Sequence, residues 1–69
     1  MSDEIPVRGD TIRLGQLLKL AGLVESGGEA RAFLADHDVR VNGEREDRRG
    51  RQVARGDEVR IGERTLKVV

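Results

Sequence analysis

The chain has no cysteine, tryptophan or tyrosine, and only one each of phenylalanine, histidine and proline in 69 residues. Each absence excludes something. Without cysteine there is no disulfide framework and no thiolate metal site, which suits a reducing compartment, and the cytoplasm is the expected location. His37 is the sole imidazole and Ser26 falls at a helix start, so the usual nucleophile–base pairs are missing and no enzyme is expected. No D-x-D-x-D-G loop is present, and neither a metal nor a cofactor is expected. The apolar stretches are a few residues long, far short of the roughly 20 that a membrane helix needs. The leading Met1-Ser2-Asp3-Glu4 is acidic and lacks the basic-then-apolar order of a signal peptide.

What is present is charge, unevenly placed. Thirteen basic and thirteen acidic side chains cancel. Residues 1–38 hold four basic and seven acidic groups, residues 39–69 nine and six. A neutral total excludes a nonspecific polycation but leaves room for one local anion-binding patch. Eleven of the thirteen basic residues are Arg, and the run 48–55 carries four of them with no acid.

A chain this short makes one small domain. Residues 1–10 read as an acidic lead-in, in which Pro6 blocks helix and Ile5 or Val7 could add a brief edge strand. Leu14, Leu17, Leu18 and Ala21 recur at helical spacing and predict a helix over 11–21, with Thr11 near its N-cap and Gly22 as its stop. Ser26-Gly27-Gly28-Glu29 matches a capping box and opens a second helix over 26–37. Ala30, Phe33 and Leu34 form its apolar stripe, and His37 falls in line with them, toward the core. The period then changes to two. Val39-Arg40-Val41 runs into Asn42-Gly43, a hairpin signal, with Glu44–Glu46 as a polar returning edge strand. An Arg-rich loop follows, then strands over 58–61 and 65–69 separated by turns at Gly56-Asp57 and Gly62-Glu63. The predicted architecture is α+β, with two short helices on a small antiparallel sheet of three to four strands.

Three features point to phosphate. Gly27 and Gly28 lie in the first turn of the second helix, where free amides and partial positive charge meet anions, although Glu25 and Glu29 flank them. Gly15 stands on the helix face opposite the leucines, beside Lys19, where glycine costs about 1 kcal/mol against alanine. Either a flush docking surface or close packing against the N-terminal segment accounts for it. Third, the arginines at 48, 49, 51 and 55 offer planar forks that bind phosphate bidentately. The lack of aromatics argues against stacking on splayed bases and for contact with backbone and shape, as in structured RNA.

Arg13-Leu14, Leu18, Gly22, Ser26, Ala30, Phe33-Leu34, Val39, Val41-Asn42-Gly43, Val53 and Gly56-Asp57 together resemble the S-four RNA-binding domain, named for the fourth small-subunit ribosomal protein. The resemblance covers about residues 12–61. Leu14-Gly15-Gln16, Leu18-Lys19-Leu20 and Arg48-Arg49-Gly50-Arg51 are similar to its small stand-alone bacterial branch. The resemblance implies an alpha-L fold over residues 11–69. It implies binding of structured ribosomal RNA without catalysis, in ribosome assembly or translation; the small core and high charge point to a monomer. By position, Lys19, Ser26, Gly27, Arg31, Arg48, Arg49 and Arg51 would contact the RNA. No membrane or small-molecule substrate is implied. The competing class is a protein-interaction adaptor using the same surface, favoured by the acidic first half and basic second half.

Overall fold

The computed structural model describes residues 2–69. Its elements are β1 (Ser2–Ile5), β2 (Thr11–Arg13), α1 (Leu14–Leu20), α2 (Gly27–Asp36), β3 (Val39–Val41), β4 (Glu44–Arg45), β5 (Gln52–Ala54), β6 (Glu58–Ile61) and β7 (Arg64–Val68). Among the described residues, five strands form one sheet in the order β1-β7-β6-β3-β4, and β2 pairs with β5 in a second. The α+β class stands. The strand count is higher than three to four, and the larger sheet is mixed, because β1 runs parallel to β7. That pairing joins the two ends of the described chain and has no short-range sequence signal.

Alternation decides which side of the sheet is buried. Val39, Val41, Val59, Leu66 and Val68 have essentially no exposure, while Arg40, Arg60 and Lys67 between them face solvent. Leu14, Leu17 and Leu18 of α1, with Ala30 and Leu34 of α2, close over the buried side. Each fully buried Leu or Val contributes roughly 1.5–3 kcal/mol of transfer free energy, so an all-aliphatic core can hold this small fold. Phe33 packs only partly against that core. His37 does not point inward. It is exposed, its ring stacks on Phe33 at 4.0 Å between centroids, and its Nδ1 lies 3.0 Å from the Phe33 carbonyl. Helix α2 ends at Asp36, and residue 37 already has an extended backbone, which turns the ring out along the helix end.

The first helix starts three residues later than the apolar spacing suggests. Thr11 to Arg13 form β2, whose Ile12 pairs with Val53 of β5. Arg13 is the N-cap and gives no side-chain cap. Main-chain carbonyls replace it. The Leu14 amide donates to the Arg51 carbonyl at 2.8 Å, and the Gly15 amide to that of Arg49 at 2.9 Å. Two of the helix's free amides are thus satisfied by a loop more than thirty residues away in sequence. At the other end Gly22 takes a φ of 77°. Its amide bonds the Lys19 carbonyl and that of Leu23 bonds Leu18, a Schellman stop.

Helix α2 opens on Ser26, whose Oγ accepts the Glu29 amide at 3.2 Å. Glu29 reaches back one residue further than a capping box requires, accepting the amide of Glu25 at 3.0 Å. Asn42-Gly43 forms the expected hairpin turn, both residues having positive φ. β4 is the polar edge strand, with both residues exposed. No helix among the described residues is long and apolar enough to cross a membrane.

Candidate functional site

The loop between β4 and β5 decides the shape of the functional surface. Glu46 anchors it. This carboxylate is only 6% exposed, and Oε2 accepts the amides of Asp47 and Arg48 at 3.1 Å each. Arg48 grips it side-on, Nε to Oε2 and Nη2 to Oε1, both at 3.0 Å. Arg51 adds Nη1 to Oε1 at 3.1 Å. The Arg48 bond is the main reason the Glu46 pKa is lowered to about 2, against the opposing effect of burial.

These contacts correct the picture of an arginine cluster without compensating acids. Glu46 lies just before the run in sequence and folds back into it. Arg48 and Arg51 therefore shape the loop, although the Arg48 side chain remains 74% exposed. Arg55 is also engaged, its Nη2 donating to the carbonyls of Val7 at 3.0 Å and Arg8 at 3.4 Å.

Arg49 is used differently. Its backbone caps α1 and its side chain crosses to α2, where Nη1 donates to the Gly27 carbonyl at 3.0 Å. It forms the roof of an open groove of about 410 Å³ lined by Arg13, Gly15, Gln16, Lys19, Ser26, Gly27, Arg49 and Gly50. Four of the residues singled out from sequence, Lys19, Ser26, Gly27 and Arg49, meet there. Arg48, Arg51 and Arg31 do not line it. Arg31 is exposed on α2. Arg13, Gln16 and Gly50 join the groove without having been singled out as contacts. Arg13 had a signal, a basic residue one helical turn before Gln16 and next to Leu14. Its place was hidden because residues 11–13 read as helix.

The glycines have steric reasons. A Cβ on Gly15 would stand 3.2 Å from the Arg49 Cβ and 3.4 Å from the Arg49 carbonyl oxygen. Gly15 therefore lets the loop lie on α1. It is packed against this loop and the Ala30 side chain, and not against the N-terminal segment. A Cβ on Gly27 would meet Arg49 Nη1 at 3.1 Å. Gly15 admits the backbone and Cβ of Arg49, and Gly27 leaves room for its guanidinium.

The groove wall carries three cations, Arg13, Lys19 and Arg49, beside the start of α2. No acid lines it. Ser26 Oγ is occupied by the Glu29 amide, and Glu29 is turned toward Glu25. The chemistry on offer is binding of an extended anion.

A family model described as the S4 domain matches residues 5–69, nearly the whole chain. The chain belongs to the S4 domain family. The resemblance drawn from Arg13-Leu14 through Gly56-Asp57 is thereby established. This S4 domain is also 48% identical over 61 residues to the probable ribosome maturation protein RlbA of Bacillus subtilis (strain 168). The match covers 88% of this chain and 86% of that protein.

Proposed function

We propose that this S4 protein is a non-catalytic RNA-binding protein that acts on structured ribosomal RNA during ribosome maturation. One observation carries the proposal. Arg13, Lys19 and Arg49 converge on a groove with no acidic wall, built where the first-turn amides of α2 open. Arginine forks and helix-start amides suit phosphate oxygens. The S4 membership and the maturation name of the Bacillus relative support the same reading. With one half-buried Phe, recognition is of backbone and fold, without base stacking. Residues 11–69, with β1 added at the sheet edge, act as one domain, in the cytoplasm and as a monomer. Large exposed apolar side chains among the described residues are limited to Leu20 and Val69, too little for a stable self-interface.

Contacts by Arg13, Lys19 and Arg49 would neutralise about three phosphates, giving a log–log salt slope of roughly −3, with the Gly27 amide adding an uncharged contact. An equilibrium titration with ribosomal RNA fragments at several salt concentrations tests this. Salt-sensitive binding that is lost in a Lys19→Gln/Arg49→Gln variant is the expected result. A folded wild type that binds no fragment at low salt would turn the groove over to a protein partner.

A further inference from the structure

The solvent side of the five-stranded sheet holds a second cationic surface, built by register. Arg40 of β3 is paired directly with Arg45 of β4 on one side and Arg60 of β6 on the other. Directly paired residues share a face, so the three guanidinium stems stand in one row across three strands. At about 4.8 Å between strands the row spans roughly 10 Å. All three residues are exposed.

The row is costly for folding alone, because like charges placed directly opposite destabilise a sheet. The neighbouring row shows the alternative. There Glu58 pairs with Lys67, and Lys67 with Glu4, so charge alternates across the same face. The arginine row is only lightly neutralised. Arg40 Nε meets Asp38 Oδ2 at 3.3 Å, both side chains being about half exposed, and Arg60 Nε donates to the Gly62 carbonyl at 3.2 Å. Glu58 lines the shallow concavity that Arg40 and Arg60 share with Asn42, Gly43 and Thr65. Exposed pairs of this kind are weak and yield to a better anion.

We infer that this face is a second phosphate-binding surface, on which Arg45, Arg40 and Arg60 hold the backbone of a second RNA segment while the groove holds the first. Charge complementarity selects the occupant. Three forked donors in a row suit a run of phosphates. A protein partner would want an apolar centre, and Leu20 and Val69, the large exposed apolar residues, lie outside the row. The two surfaces share no lining residue. The row faces away from the core that α1 and α2 cover, and the body measures only 25 × 22 × 18 Å. One molecule would thus hold two RNA segments within the span of its own body. The inference rests on the RNA reading of the groove.

Sedimentation of the full chain with excess of a short RNA hairpin at low salt separates the two. The wild type should reach two hairpins per protein, the second with a salt slope of roughly −2 to −3. An Arg40→Gln/Arg45→Gln/Arg60→Gln variant should stop at one hairpin, with the tight event changed less than twofold. A Lys19→Gln/Arg49→Gln variant should lose the tight event and keep the weak one. Relief of like-charge pairing should leave the triple variant folded by thermal melting. Should it not fold, Arg45→Gln alone, on the edge strand, should weaken the second event at least threefold. One hairpin per wild-type protein, or two in the triple variant, overturns the inference. So does displacement of the second hairpin by polyglutamate at equal charge, which would assign the face to an acidic protein. An unchanged tight event in the groove variant overturns the groove reading instead.

Discussion

Gly15 donates its amide to the carbonyl of Arg49 at 2.9 Å, and no side chain separates the two residues. This one contact joins the cap of α1 to the roof of the groove. A branched side chain at position 15 would drive the loop off the helix. Gly15→Val is expected to cost about 1–3 kcal/mol by overpacking, which outweighs any gain in helix propensity. The urea midpoint should fall, and RNA affinity should fall further than stability explains. An unchanged midpoint would mean that the loop is free to move.

The four arginines of the 48–55 run differ in what they already hold. Arg49 reaches into the groove, whereas Arg48 is spent on Glu46. Arg49→Ala should weaken RNA binding roughly five- to tenfold and lower the salt slope by about 1. Arg48→Ala should change the slope less and act mainly through the loop. Titrations of both variants across salt would check the order. Equal effects would return the phosphate role to the whole run.

Glu46 links that loop to acid stability. Its folded pKa, about 2, lies below the ordinary 4.5 because Arg48 holds the carboxylate. A depressed carboxylate stabilises the fold fully above the unfolded value. That contribution is lost as pH falls from about 4.5 toward 2. Asp57 has the same sign, its pKa being lowered first by the Ala54 amide and then by Asn42. Glu46→Gln should cost about 1–3 kcal/mol at neutral pH and flatten the dependence of the urea midpoint on pH between 5 and 2. A parallel curve for the variant would show that other carboxylates control acid unfolding.

Asn42 ties two turns together. Its Nδ2 donates to Asp57 Oδ1 at 3.1 Å, and its Oδ1 accepts the Glu58 amide at 3.0 Å. It does so with a φ of 52°, a conformation alanine tolerates poorly. Asn42→Ala should therefore lose about 1–3 kcal/mol, and Asn42→Gly less, because glycine keeps the turn and loses only the side-chain bonds. Thermal melts of the two variants give the comparison. A variant pair of equal stability would place the whole effect in the hydrogen bonds.

Periodic and local signals were legible in the sequence. The leucine spacing of α1, Gly22, the Ser26 cap and the Asn42-Gly43 hairpin all appear where the residues place them. Contacts across long separations were not. Nothing near Thr11 announces that it pairs with Ala54, and nothing near Ser2 announces Thr65. The groove followed the same division. Lys19, Ser26 and Gly27 belong to two helices joined by a short loop, so their meeting could be foreseen. The neutralisation of Arg48 and Arg51 depends on Glu46 turning inward, which an edge-strand pattern does not reveal.

The parallel pairing of β1 with β7 sets an order of events during synthesis. β1 finds its partner strand only after residues 64–68 have been made. Until then the edge of β6 opposite β3 has no partner strand, and Ile5 has no Val68 to lie beside. Sheet closure is therefore a late, long-range step of the kind that slows folding. The two helices and the Asn42 hairpin rest on nearer contacts and can form while the sheet edge is still waiting.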